Sequence, residues 1–120
     1  MERSDAVNLL SGLRLAVGVS SWATPRIAGK TFGLDAGANP QSPYLARLFG
    51  IRDVALAWGT VTSEGQTQRQ WLLAGLACDA ADTLAGIAGG KGGYLSKPTA
   101  FLVSATALAA VALGAEALRD

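Results

Sequence analysis

Apolar residues fall into four long stretches along the chain, separated by segments rich in glycine, proline and polar residues. The stretches cover roughly residues 5–23, 44–61, 70–89 and 98–118. As helices, all four are long enough to cross the hydrocarbon core of a bilayer, and the last has no charged residue between Thr99 and Ala115. The pattern therefore predicts an all-α protein, a four-helix transmembrane bundle that forms a single domain over residues 1–120.

Charged residues interrupt three of these apolar stretches. Ionised side chains at the centre of a membrane helix cost about 2.5–3.5 kcal/mol each on insertion scales, so they persist where they are paired, hydrated or functional. The six residues concerned are Arg14, Arg47, Arg52, Asp53, Asp79 and Asp82. Because opposite charges at similar depth can pair, we expect these side chains to converge in a neutral buried network.

The position of each charge within its stretch refines this expectation. Arg14, Asp53 and Asp79 lie near the middle of their helices and can meet at one depth. Arg47 lies nearer the start of the second stretch, where its side chain can instead extend to lipid headgroups. Asp79 and Asp82 are three residues apart, which brings their carboxylates within one helical turn, so one of the two is expected to hold a proton.

Composition and charge narrow the classes of protein and of chemistry. Half of the residues are hydrophobic and 16% are charged, against about a quarter in soluble domains; an alanine-rich soluble bundle is the alternative. The net charge of +1 gives no basic field for nucleic acid. With no histidine and a single cysteine, Cys78, zinc, haem and Ser-His-Asp chemistry are unfavoured, and we expect no metal and no cofactor.

The charged residues favour three classes of function and one purely structural role. Arg–Asp pairs could simply clamp the helices together. In an enzyme acting on a lipophilic molecule, by isomerisation, cyclisation or epoxide opening, Asp79 or Asp82 would be the acid and Asp53 the base. In a proton-coupled exporter, similar in size to small multidrug transporters, the same carboxylates would exchange protons for substrate. The small residues of the last stretch favour the third class, an accessory subunit of a membrane complex.

Binding residues are assigned on the same basis. The arginines at positions 14, 47 and 52 can stabilise an anion or orient a ligand, and Trp58 is an aromatic residue suited to an interface or to packing. The expected partners are the bilayer and a lipid or lipophilic small molecule. Four short helices enclose little volume, so a homodimer through the first or fourth stretch is a further expectation. Lysines and arginines slightly favour both termini outside the cell.

Two short motifs resemble a known family. The segment Arg47-Leu48-Phe49-Gly50-Ile51-Arg52-Asp53 and the later Cys78-Asp79-Ala80-Ala81-Asp82 look like an uncharacterised family of four-span bacterial membrane proteins, common in actinobacteria. The likeness covers most of the chain and implies a location in the bacterial cytoplasmic membrane. It also implies that Arg52, Asp53 and Asp82 act as a unit, but it implies no substrate.

Overall fold

The computed structural model describes residues 1–119. It contains the helices α1 (Arg3–Ala23), α2 (Pro25–Thr31), α3 (Ser42–Val61), α4 (Gly65–Gly92) and α5 (Lys97–Ala117). No strand occurs in these 119 residues. The prediction of an all-α chain is confirmed, while α2 lies in a segment that the sequence predicts as a loop.

Residues at the helix ends explain why the helices begin and end where they do. A proline lies in the first turn of α2, α3 and α5, where its missing N–H costs no helical hydrogen bond. The Ser96 Oγ accepts a hydrogen bond from the Thr99 N–H at 3.3 Å and caps α5. At the end of α4, Gly93 has a φ of 81°, a left-handed conformation that glycine adopts without steric penalty.

A pair of glycines, Gly18 and Gly50, brings α1 and α3 close together. The closest packing is between α1 and α3, and α4 packs mainly on α5. A Cβ built on Gly18 would lie 2.7 Å from the Gly50 carbonyl oxygen, and one built on Gly50 would lie 2.5 Å from the Gly18 carbonyl oxygen. Any side chain at either position would push α1 and α3 apart, so this crossing depends on glycine.

The helices are antiparallel neighbours, so the structure has two distinct ends. At the terminal end, which we define as residues 1–6, 61–69 and 115–119, the Arg3 Nε donates a hydrogen bond to the Ala117 carbonyl at 2.7 Å. At the loop end, residues 22–47 and 90–99, the Arg47 Nε donates to the Trp22 carbonyl at 2.9 Å. Each side chain can therefore be assigned to an end or to the middle.

Polar and charged side chains share the interior with a small apolar core, and many large apolar side chains are exposed. The hydrophobic core is small (Ala6, Val7, Leu10, Leu72 and Ala117), and no large side chain among the described residues is fully buried. Large apolar side chains on all four long helices face outward, among them Leu13, Val19, Leu48, Ile51, Trp58, Leu84, Phe101 and Leu108. A water-soluble helical bundle has the opposite arrangement, with its apolar stripe inside.

The predicted four-span bundle is wrong in the number of spans. Within residues 1–119, two helices, α4 and α5, are long and apolar enough to cross a membrane. The helix α3 carries Arg47, Arg52 and Asp53 within 20 residues, and α1 carries Arg3, Asp5 and Arg14 together with asparagine and several serines. The length of an apolar stretch therefore does not predict a membrane span when the stretch also contains polar residues that contact other helices.

Most of the surface of the two apolar helices is exposed. Only 28% of the apolar window of α4 and 17% of that of α5 is buried within the chain, whereas a soluble core helix of this length is mostly buried. Length and composition thus make α4 and α5 two candidate membrane spans.

Candidate functional site: a buried arginine–aspartate network

Three long helices bring charged side chains together in the middle of the structure. The helix α1 supplies Arg14, α3 supplies Arg52 and Asp53, and α4 supplies Asp79 and Asp82. Neighbouring members of this set, which we call the network, lie within 4.0 Å of each other. Of the six side chains that the sequence predicts to converge, these five do so and Arg47 does not.

The Arg14–Asp79 pair forms the sealed part of the network. The Arg14 Nη1 and Nη2 donate hydrogen bonds to the two Asp79 carboxylate oxygens, at 3.1 and 2.5 Å, and both residues are buried. Gly75 lies one turn before Asp79, and a Cβ built on it would come within 2.7 Å of the Arg14 Nη2. The absence of a side chain at position 75 therefore makes room for the guanidinium group.

The Arg52–Asp82 pair forms the accessible part of the network. Its geometry is also bidentate, with Arg52 Nη1 and Nη2 donating to the two Asp82 oxygens at 3.2 and 2.5 Å. Both side chains are 33% exposed, compared with 7% and 6% for Arg14 and Asp79. The Arg52 guanidinium also lies 4.9 Å from the centroid of the Phe49 ring, a cation–π distance that helps to fix its position.

Asp53 lies between the two bidentate pairs and belongs to neither. Its Oδ1 is 3.5 Å from the Arg14 Nη1 and 4.0 Å from the Arg52 Nη2. Although Asp53 is buried, no group in residues 1–119 donates a hydrogen bond to this oxygen. Both arginines direct their hydrogen bonds to other carboxylates, so the attraction between them and Asp53 is electrostatic rather than hydrogen-bonded.

The network has one more acid than base. Two guanidinium groups face three carboxyl groups, and guanidinium stays protonated in proteins. With every carboxyl ionised, the network would carry one negative charge in excess in an apolar surrounding, which is far more costly than a neutral one. A bound proton or a bound cation removes that excess, and Asp53 is the carboxyl without a hydrogen-bonded partner.

This arrangement differs from the sequence prediction in two respects. The predicted network was neutral because it included Arg47, but the Arg47 guanidinium is exposed and lies 5.2 Å from the centroid of the Trp22 ring at the loop end. The sequence predicts a shared proton on Asp79 or Asp82, whereas the structure gives each of these an arginine partner and leaves Asp53 as the carboxyl whose Oδ1 accepts no hydrogen bond from residues 1–119.

The remaining predicted binding residue, Trp58, lies apart from the network. Its side chain is 68% exposed, and five residues along α3 from Asp53 it points from a different face of the helix. Sequence reasoning also gave no role to Gly50 and Gly75, although the missing side chain of Gly50 lets α1 approach α3 and that of Gly75 makes room for the Arg14 guanidinium. Their spacing from Asp53 and Asp79, three and four residues, was the available signal.

Comparisons of the chain with protein-family models, with curated proteins and with solved structures find no match. The resemblance to a four-span bacterial family therefore stays a prediction.

Proposed function

We propose that the protein is an integral membrane protein that exchanges a proton for a lipophilic cation at Asp53. The observation that carries the proposal is the excess carboxyl group: a buried Asp53, without a hydrogen bond to its Oδ1, between two arginines that are committed to other aspartates. A proton and a cation would each neutralise the network, so their binding is mutually exclusive. Because the proton and the cation exclude each other from the site, movement of the cation across the membrane would be coupled to movement of a proton.

Burial and hydropathy support the membrane location. The outer surface of α4 and α5, the two candidate spans, carries large exposed apolar side chains, including Leu84, Phe101 and Leu108, and exposed apolar surface of this kind marks a membrane or protein interaction site. Lipid tails would cover this surface, with α4 and α5 as the anchoring helices. The resemblance of the two short motifs favours the bacterial cytoplasmic membrane.

The exposure gradient across the network supports access to Asp53. Arg52 and Asp82, one-third exposed, separate Asp53 from the surface, whereas Arg14 and Asp79 close its inner side. A cation entering between α3 and α4 would meet Asp82 first and Asp53 next. The lipophilic character of the substrate is suggested by the exposed Phe49 ring, which lies beside the Arg52 guanidinium on this approach.

An acid–base enzyme acting on a lipophilic molecule is the second candidate. It is favoured by the position of Asp82, a partly exposed carboxyl held by an arginine, which is suited to donating a proton while Arg52 stabilises the developing anion. An isomerase, a cyclase or an epoxide-opening enzyme would use this chemistry. An enzyme would convert its substrate in detergent, where an exchanger would only bind and release.

An accessory subunit of a membrane complex was favoured by the small residues of the last apolar stretch, which would pack against another subunit. Small residues of α5 pack inside the chain, with Ala100 and Ser104 against glycines of α4 and Gly114 against Leu76. That face of α5 is therefore occupied and is not free for another subunit.

Proton release on binding of a lipophilic cation tests the exchange. Tetraphenylphosphonium is the probe, added to the full chain in a weakly buffered solution of non-ionic detergent at about pH 5, where an exposed aspartate is still mostly ionised, and released protons are followed by a pH-sensitive dye. We expect one proton per bound cation in the parent and in Glu64→Gln, an exposed carboxyl at the terminal end that serves as the control. Asp53→Asn should remove both binding and release. Binding without proton release, unchanged release in Asp53→Asn, or no binding in the parent would overturn the proposal.

A further inference from the structure

The two ends of the structure differ in charge. The loop end carries five basic residues and one acidic residue, which are Arg26, Lys30, Arg47, Lys91, Lys97 and Asp35. The terminal end mixes both signs, with Glu2, Arg3, Asp5, Glu64, Arg69, Glu116 and Arg119. A membrane surface rich in anionic lipids attracts a basic cluster such as the one at the loop end. It attracts the terminal end much less, because acidic and basic residues are mixed there.

A cleft at the loop end concentrates part of this charge. It has a volume of about 460 Å³ and lies where the end of α1 and the helix α2 meet the start of α3. Arg26 and Arg47 line it together with Thr24, and its other walls include Ile27 and prolines. No acidic side chain lines this cleft, in contrast to the cleft of about 480 Å³ at the terminal end, which contains both Glu2 and Arg3.

Arg47 is held in a position that leaves its donors available. Its Nε donates to the Trp22 carbonyl at 2.9 Å, and its guanidinium stacks over the Trp22 ring at 5.2 Å. Neither Arg47 nor Arg26 forms an ion pair with a carboxylate in the part of the chain that the structure describes. The terminal nitrogens of Arg47 are thus prepositioned to bind an anion, and phosphate oxygens accept the parallel hydrogen bonds that guanidinium offers.

The surroundings of the cleft match a lipid rather than a free ion. Trp22, Ile27 and Tyr44 are more than half exposed beside it, and tryptophan and tyrosine concentrate at the headgroup level of a bilayer. Apolar and guanidinium groups in one cleft suit a molecule that is apolar at one end and anionic at the other.

We propose that the cleft lined by Arg26 and Arg47 binds the phosphate of an anionic phospholipid headgroup. The inference rests on the membrane location proposed above but not on the chemistry of the network. It places the loop end at the leaflet that is richer in anionic lipid, which is the cytoplasmic one.

Native mass spectrometry of the full chain, released from neutral detergent, tests this site. Phosphatidylglycerol and phosphatidylcholine with the same acyl chains are the two lipid probes, and inorganic phosphate is the third. We expect the parent to retain one phosphatidylglycerol and little phosphatidylcholine. The double variant R26Q/R47Q should bind phosphatidylglycerol about 30-fold more weakly, the loss expected for two arginines at a membrane surface.

A matched control removes two other charges from the same end. The variant K91Q/K97Q has the same net charge as R26Q/R47Q, and both lysines are exposed, so its affinity for phosphatidylglycerol should stay within about twofold of the parent. The single variant Arg26→Gln, which loses no intramolecular hydrogen bond, guards against misfolding and should weaken binding by about fivefold.

Four results would overturn the proposal. These are equal affinity of the parent for both lipids, unchanged binding in R26Q/R47Q, an equal loss in K91Q/K97Q, and displacement of the lipid by millimolar inorganic phosphate, which would indicate a site for the free ion. Asp53→Asn should bind phosphatidylglycerol like the parent. Failure of proton exchange therefore leaves this site intact, and failure of this site leaves proton exchange intact.

Discussion

The Arg14 Nη1 lies 3.5 Å from the Asp53 Oδ1 without donating a hydrogen bond to it, because both terminal nitrogens of Arg14 are directed at Asp79. Arg52 repeats this arrangement on the other side, with Asp82 as its partner. A carboxyl group can therefore be buried beside two arginines and still be the surplus charge of the site. This relationship separates the two aspartates that have a bidentate arginine partner from the one that has none.

The first prediction follows from that separation. Asp79→Asn should destabilise the protein by about 3–5 kcal/mol, because it breaks a buried ion pair and leaves the Arg14 guanidinium without its bidentate partner. Asp53→Asn should leave the free energy of unfolding unchanged or raise it, because it removes a surplus charge. Denaturation in mixed micelles, followed by circular dichroism, measures both. Equal destabilisation by the two variants would show that Asp53 is a structural partner of Arg14.

The two arginines should differ in their contribution to stability. Arg14→Ala strands Asp79 in the buried part of the network and should cost about 3–5 kcal/mol. Arg52→Ala frees Asp82, which is one-third exposed and can be hydrated, so it should cost about 1.5–3 kcal/mol. The same denaturation experiment applies, with Arg119→Ala, an exposed ion pair at the terminal end, as the control that changes little. If Arg52→Ala lowered the free energy of unfolding more than Arg14→Ala, the assignment of the sealed and accessible parts of the network would be reversed.

The crossing of α1 and α3 gives a test of packing with an internal control. Gly50→Ala should destabilise the protein and weaken proton exchange, because its methyl group would lie 2.5 Å from the Gly18 carbonyl oxygen and separate Arg14 from Asp53. Gly12→Ala lies on α1 with nothing within 4 Å, and its better helix propensity should stabilise the chain by about 0.5–1 kcal/mol. Thermal unfolding of both variants decides the point. If Gly50→Ala and Gly12→Ala changed the unfolding temperature equally, α1 and α3 would not approach each other as closely as described.

Tryptophan fluorescence can test the lipid-covered exterior. Trp71 lies on the candidate span α4 and is 37% exposed, so a variant that keeps only Trp71 should be quenched by lipids brominated on their acyl chains. A variant that keeps only Trp58, which lies on α3, should be quenched less. Absence of quenching for both, together with a monodisperse protein in buffer without detergent, would mean that water covers the apolar surface.

The helices and their charged residues could be predicted from the sequence because apolar length, prolines and charge positions are local features. The number of membrane spans could not, because Arg14 and Asp53 lower the hydropathy of α1 and α3 while serving contacts that only the fold reveals. The prediction of a neutral network was wrong for a related reason. Arg47 and Arg52 look alike in the sequence, and only the packing of α3 against α1 and α4 shows that Arg47 contacts Trp22 and Arg52 contacts Asp82.

Infrared spectroscopy of the reconstituted protein tests the central assignment most directly, because the carbonyl stretch of a protonated carboxyl group is separate from that of a carboxylate. At about pH 6, where an exposed aspartate is almost fully ionised, the parent and Glu64→Gln should both show the band of a buried protonated carboxyl. Asp53→Asn should lack it. No such band in the parent, or a band that survives in Asp53→Asn and disappears in Asp79→Asn or Asp82→Asn, would contradict the assignment of the surplus proton to Asp53.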